Sequence, residues 1–187
     1  HQLAGAVTPW LRARFATPTI CNYSLIANEA NFLAQQAGYN LPAYQKFVYV
    51  FPRVAACSWA GLGGGVQAWI NQSASTLVIA HELGHTFGLG HASSLDCGTQ
   101  VIGGTCTRSE YGDPYEVMGN ARAAHLSAIH KDYLGYFGAG QLKTHTGGSL
   151  TYTLSALESP GGTTYAVRIP ASARRTSMGP WPDHIQQ

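Results

Sequence analysis

Between residues 27 and 37, apolar side chains recur at spacings of three and four. Ile26, Ala30, Leu33, Ala34 and Ala37 share one side, and Asn28, Asn31, Gln35 and Gln36 the other. This pattern predicts an amphipathic helix, opened by Asn22 or Ser24 as a cap and closed by Gly38. Residues 46–51 are a short run rich in aromatic and β-branched side chains, bounded by Pro42 and Pro52, and predict a buried strand. A glycine-rich loop follows at 61–65, and residues 66–70 predict a second strand. Leu77, Val78, Ala80, Leu83, Gly84 and Phe87 can then bury one side of a helix running from Ser75 or Thr76 to about Phe87. A third helix is expected from Ser127 to Tyr136 or Phe137, packed through Ile129, Tyr133, Leu134 and Phe137, with Gly138 as its stop. Residues 149–154 and 163–169 alternate like two strands of a hairpin around the turn at 159–162. A strand at 7–11 is conceivable, although Pro9 keeps it out of a sheet interior. From Ala171 onward no period survives, so 171–187 reads as a flexible or non-native tail.

The second helix carries the chemistry. It reads His81-Glu82-Leu83-Gly84-His85 and continues through Gly88 to His91. Residues four apart stack on one helical face, so His81 and His85 can offer two imidazoles to one ion. A straight helix would carry His91 too far round to join them. Gly88 supplies the turn that swings it back, because glycine takes left-handed backbone angles at little cost. Three neutral imidazoles would hold one Zn2+ ion and leave a fourth position open for water, the arrangement of a catalytic site. Glu82, beside the metal, would be the general base. The bland alternative is a histidine-rich core helix with ordinary hydrogen-bonded imidazoles.

The run resembles the motif H-E-x-x-H-x-x-G-x-x-H of the metzincin metalloproteases, whose second signature is a methionine turn. Met118, in the segment Tyr111-Gly112-Asp113-Pro114-Tyr115-Glu116-Val117-Met118-Gly119, is the candidate for that turn. Within the metzincins the chain is most similar to the gametolysin family and its bacterial relatives. Tyr49-Val50-Phe51-Pro52 and Cys57-Ser58-Trp59-Ala60-Gly61-Leu62 add to the likeness, which runs from about residue 21 to 170. The resemblance implies an α+β, metzincin-like fold: a mixed twisted sheet, an active-site helix, a methionine turn and a C-terminal helix. It also implies that Met118 forms an apolar floor under the imidazoles without binding zinc, and that the strand at 66–70 is an exposed sheet edge able to pair with an extended substrate. A plain edge protected by the glycine loop is the alternative for that strand. Several metzincin subfamilies carry a tyrosine ligand two residues after the methionine; Asn120 stands here, so three protein ligands are expected. Family members also extend further before the point matching His1, which makes the chain look short at its N-terminus.

Composition narrows the partners. The 187 residues suit one domain, here 1–170, with an N-terminal lobe to about 90 and a C-terminal lobe over 91–170. With 11% charged residues and a formal net charge of +2, nothing points to nucleic acid or to an anionic membrane surface. No apolar run approaches the roughly eighteen residues that span a bilayer. The loop at 61–65 lacks the lysine and the strand-to-helix setting of a phosphate loop. Cys21, Cys57, Cys97 and Cys106 show no C-x-x-C spacing and lean toward disulfides, with Cys97–Cys106 and Cys21–Cys57 preferred among three pairings. Disulfides would imply an oxidising compartment, and four free buried thiols are the alternative. Asp96, Glu110 and Asp113 could contribute to a Ca2+ site, although no calcium-loop spacing supports one and Asp113 reads better as a turn cap. His125 and His130, five apart, read as surface residues.

These features together describe a secreted, monomeric zinc endopeptidase acting on proteins or peptides. The alternatives are a catalytically inactive zinc-binding or peptide-binding domain, as a pseudoenzyme or fragment, and a zinc hydrolase of non-peptide amides.

Overall fold

The computed structural model describes residues 4–73, 75–100, 104–120 and 125–170, and the expected tail at 171–187 lies outside them. The protein is α+β, with small sheets and few helices. It divides into two compact units, residues 1–89 and 90–187.

In the first unit, helix α1 (Tyr23–Gln36) starts four residues before the expected 27, because the Asn22 side chain accepts the Leu25 amide at 2.9 Å and sets the cap there. Strand β1 (Phe47–Phe51) runs parallel to β3 (Gln67–Asn71), and β2 (Gly61–Gly64) pairs antiparallel with the other side of β3. Three expectations are corrected here. The glycine-rich stretch is a strand and not a loop. The strand at 66–70 is the centre of the sheet and not its edge, since it satisfies its backbone groups on both sides. And β1 is only half buried: Tyr49 and Phe51 turn inward while Val48 and Val50 are exposed, as period-two alternation requires of a strand covered on one face.

Tyr49, Phe51 and Trp69 share a core with Ile26, Ala27, Val54 and Cys57, on the α1 side. The opposite face presents Ala68 and Ile70, both fully buried, to helix α2 (Thr76–Thr86), which packs on β2 and β3. The disulfide Cys21–Cys57 ties the approach to α1 to the loop after β1. Asn71, buried at the end of β3, organises that loop: its carbonyl oxygen accepts the Val54 amide at 2.8 Å, and its NH2 lies 3.0–3.2 Å from the carbonyls of Val54, Cys57 and Trp59. No strand forms at 7–11, where Val7 and Trp10 are exposed.

In the second unit, β4 (Ser94–Asp96) and β5 (Thr107–Ser109) form an antiparallel pair closed by the disulfide Cys97–Cys106, so both preferred cysteine pairings are found. Helix α3 (Ala128–Tyr133) is capped by the Ser127 hydroxyl and stops at Leu134, ahead of Gly135 at φ +70°, not at Gly138. Of its expected apolar positions, Ile129 and Tyr133 are exposed, while Leu134 and Phe137, past the end of the helix, are half-buried. The inward group is His130, bonded to buried Glu116, so the surface reading of His130 is also corrected. The expected hairpin at 149–154 and 163–169 does not form. β6 (Leu142–Thr144) and β7 (Ala166–Arg168) pair in parallel instead, while the Tyr165 hydroxyl holds the turn at 159–162 by accepting the Gly162 amide.

Candidate active site

Helix α2 opens at Ser75, whose hydroxyl accepts the Val78 amide, and it closes at Phe87. Gly88 follows at φ +85°, the left-handed angle expected of it. The turn is fixed by Leu89, whose amide donates to the Gly84 carbonyl at 3.1 Å. Lys46 adds a clamp that sequence reasoning missed, donating its ammonium to the Thr86 carbonyl at the negative end of the helix and to Gly65.

The turn gathers His81, His85 and His91, each offering one ring nitrogen, and these nitrogens lie within 4.8 Å of one another. The Nε2 atoms of His81 and His85 are 3.2 Å apart. Two imidazole nitrogens on one tetrahedral zinc, each about 2.0–2.1 Å from it, stand about 3.3 Å apart, so the pair fits such an ion. The second ring nitrogens face acceptors. His85 Nδ1 lies 2.9 Å from the Leu89 carbonyl, and His91 Nδ1 lies 2.8 Å from the Glu110 carboxylate. A donor role at Nδ1 leaves Nε2 with its lone pair, the tautomer that binds metal.

Glu82 is 9% exposed, and its burial has a specific cause. Gly61 and Gly63 lie on the α2 face of β2; a Cβ on Gly61 would meet the Glu82 side chain at 2.5 Å, and one on Gly63 would meet the Glu82 carbonyl oxygen at 2.3 Å. Only glycine lets the strand come this close. Of the predicted apolar face of α2, Gly84 is buried and Leu77, Val78, Ala80, Leu83 and Phe87 are half-buried; the other buried residues of the helix are Glu82 and Thr86, which were not expected there. Burial pushes the Glu82 carboxyl up to about 7 in the metal-free protein. A dication on the neighbouring histidines would pull it back down.

Met118 is fully buried in its turn. Its carbonyl accepts the amide of Ala92, the residue after His91, at 2.8 Å, and the Asn120 amide closes the turn on the Asp113 carbonyl at 2.7 Å. Close packing extends to Gly119, where a Cβ would meet the Asp113 carbonyl oxygen at 2.3 Å. Asp113 does cap its turn, accepting the Tyr115 amide at 2.8 Å. Asp96 accepts the Gly98 amide. Glu110 is engaged by His91, whose hydrogen bond holds its carboxyl below the usual range. Among the described residues, the histidine triad is the group of three that could hold a metal ion, and Asp96, Glu110 and Asp113 form none. Sequence reasoning placed the three histidines, Glu82 and Gly88, and missed Glu110 as a partner of His91 and the glycines against Glu82.

The model of one protein family, gametolysin peptidase M11, matches residues 3–177. No curated protein and no solved structure matches the chain.

Proposed function

Since the chain belongs to the gametolysin peptidase family M11, a family of metallopeptidases, we propose that it is a secreted zinc endopeptidase in which Glu82 is the general base. The observation that carries this reading is the gathering of three imidazole nitrogens within 4.8 Å on the element that also holds Glu82. His81, His85 and His91 would hold the ion. When bound, zinc supplies Lewis acidity to the scissile carbonyl and lowers the pKa of water toward about 7.

The rest of the reaction falls to side chains of this protein. Glu82 takes the proton of the attacking water and returns it to the leaving amine, so one carboxylate serves both halves of the reaction. Its walled position against Gly61 and Gly63 limits its rotamers and excludes bulk water from one side. Among the described residues β2 pairs only with β3, which leaves its outer edge for an extended peptide. Backbone hydrogen bonds along that edge would give affinity, and alternate side chains specificity. The role first expected of 66–70 therefore passes to β2. Met118, whose carbonyl accepts the amide of Ala92, helps fix the main chain next to His91 and takes no part in proton transfer. Two disulfides suit an oxidising compartment, and no helix of the described residues is long and apolar enough to cross a membrane.

Cleavage of an unfolded protein tests this reading, with the parent and Glu82→Ala compared at matched zinc content and with a chelator control. Turnover in the parent, lost with chelator and in the variant, supports it. Full activity in Glu82→Ala overturns the base, and inactivity of the parent with one zinc per chain overturns the enzyme reading.

A further inference from the structure

The second ring nitrogens of His85 and His91 meet different chemistry. His85 faces a backbone carbonyl, Leu89, whereas His91 faces a carboxylate, Glu110, nineteen residues away in sequence. Glu110 directly follows β5, and the hairpin fixes where it stands. The Ser93 hydroxyl donates to the Glu110 carbonyl at 2.8 Å and accepts from Arg108 Nε at 3.1 Å, so the main chains on either side of His91 and Glu110 are linked. The strands pair Ser94 with Ser109, and Cys97–Cys106 closes their far end. Tyr111, the next residue, lays its ring 4.0 Å from that of His91. The ring is thus held by a carboxylate at one nitrogen and an aromatic face at its side.

From this arrangement we propose that Glu110 is a positioning residue for the metal, fixing the tautomer and orientation of His91 and strengthening its bond to the ion. The inference rests on the zinc reading above. A carboxylate accepting the Nδ1 proton makes the far nitrogen a better donor than a carbonyl does, and such partners typically change metal affinity by about 10–100-fold. It also assigns a purpose to the stapled β4–β5 hairpin, which carries Glu110 to a histidine that lies beyond the end of α2. The side chain of Glu110 is 61% exposed while that of His91 is 18% exposed, so removing the carboxylate costs the fold little and acts on the ligand.

The test is zinc affinity of the whole chain, measured by competition with a chromogenic chelator, for the parent, Glu110→Ala and Glu110→Gln. Thermal unfolding of the metal-free forms runs alongside. Glu110→Ala is expected to raise the zinc dissociation constant about 10–100-fold with unchanged metal-free unfolding, and Glu110→Gln, which keeps an acceptor but not the charge, to raise it less. Parental affinity in a folded Glu110→Ala overturns this inference alone. A parent that binds no zinc overturns the metal reading and the inference with it.

Discussion

Gly63 of the edge strand lies directly against the main chain of Glu82, so that a Cβ there would meet the Glu82 carbonyl oxygen at 2.3 Å. Helix α2 and strand β2 approach as closely as backbones allow at the residue assigned to proton transfer.

Gly63→Ala is therefore expected to destabilise the protein by about 1–3 kcal/mol, because the obstructing atom belongs to backbone and cannot rotate away. Gly64→Ala is the matched control: nothing lies within 4 Å of the position, and its stability should stay near that of the parent. Gly61→Ala meets only the movable Glu82 side chain, so turnover should fall by more than stability does. Denaturant midpoints and turnover measured together decide the point, and equal stability in Gly63→Ala and Gly64→Ala would contradict it.

Glu116 is 2% exposed and bonded to His130. Burial alone would raise its carboxyl, but hydrogen bonds from His130 and Ser127 outweigh that and hold it below its ordinary value of 4.5. A carboxyl whose folded pKa is lowered contributes stability that is present above its unfolded value and lost as pH falls through the folded one. The metal-free protein should therefore lose stability as pH drops below about 4.5, and Glu116→Gln should show a flatter dependence over that range. Chemical unfolding across acid pH checks this, and parallel curves for parent and variant would refute it.

The two disulfides close loops of different length, with sequence separations of 36 and 9. Loop-closure entropy then assigns about 4 kcal/mol to Cys21–Cys57 and about 2.5 kcal/mol to Cys97–Cys106. Replacing each pair with serine and comparing unfolding free energies should give that order. Loss of Cys97–Cys106 should in addition weaken zinc binding, since it loosens the hairpin that presents Glu110; loss of Cys21–Cys57 should not.

Much of the site was legible in eleven consecutive residues. The four-residue offset of His81 and His85, the position of Glu82 beside them and the turn at Gly88 all depend on backbone preferences that act within a few positions. The cap at Asn22 and the helix starts near Ser75 and Ser127 were readable for the same reason, and so was the pairing of cysteines on either side of a short loop. Misreadings arose where a segment has to choose a distant partner. Residues 66–70 have strand character wherever they lie, but nothing in them says that both neighbours are occupied. Residues 149–154 alternate like a strand and stay unpaired, because β7 takes β6 instead. The apolar spacing on α3 is real, yet His130 is the residue that bonds to buried Glu116, while Ile129 and Tyr133 face out.

The sequence by itself determined the histidine run proposed to bind metal, the helix that carries it and the glycine turn that returns the third histidine, because these follow from local dihedral preferences and helical periodicity. Only the tertiary structure decided that β2 is the edge strand, that Gly61 and Gly63 wall in Glu82, and that Glu110 reaches His91. Each of those depends on hydrogen bonds and close contacts between segments far apart in the chain, where pairing is settled by how buried backbone groups and side chains are satisfied together.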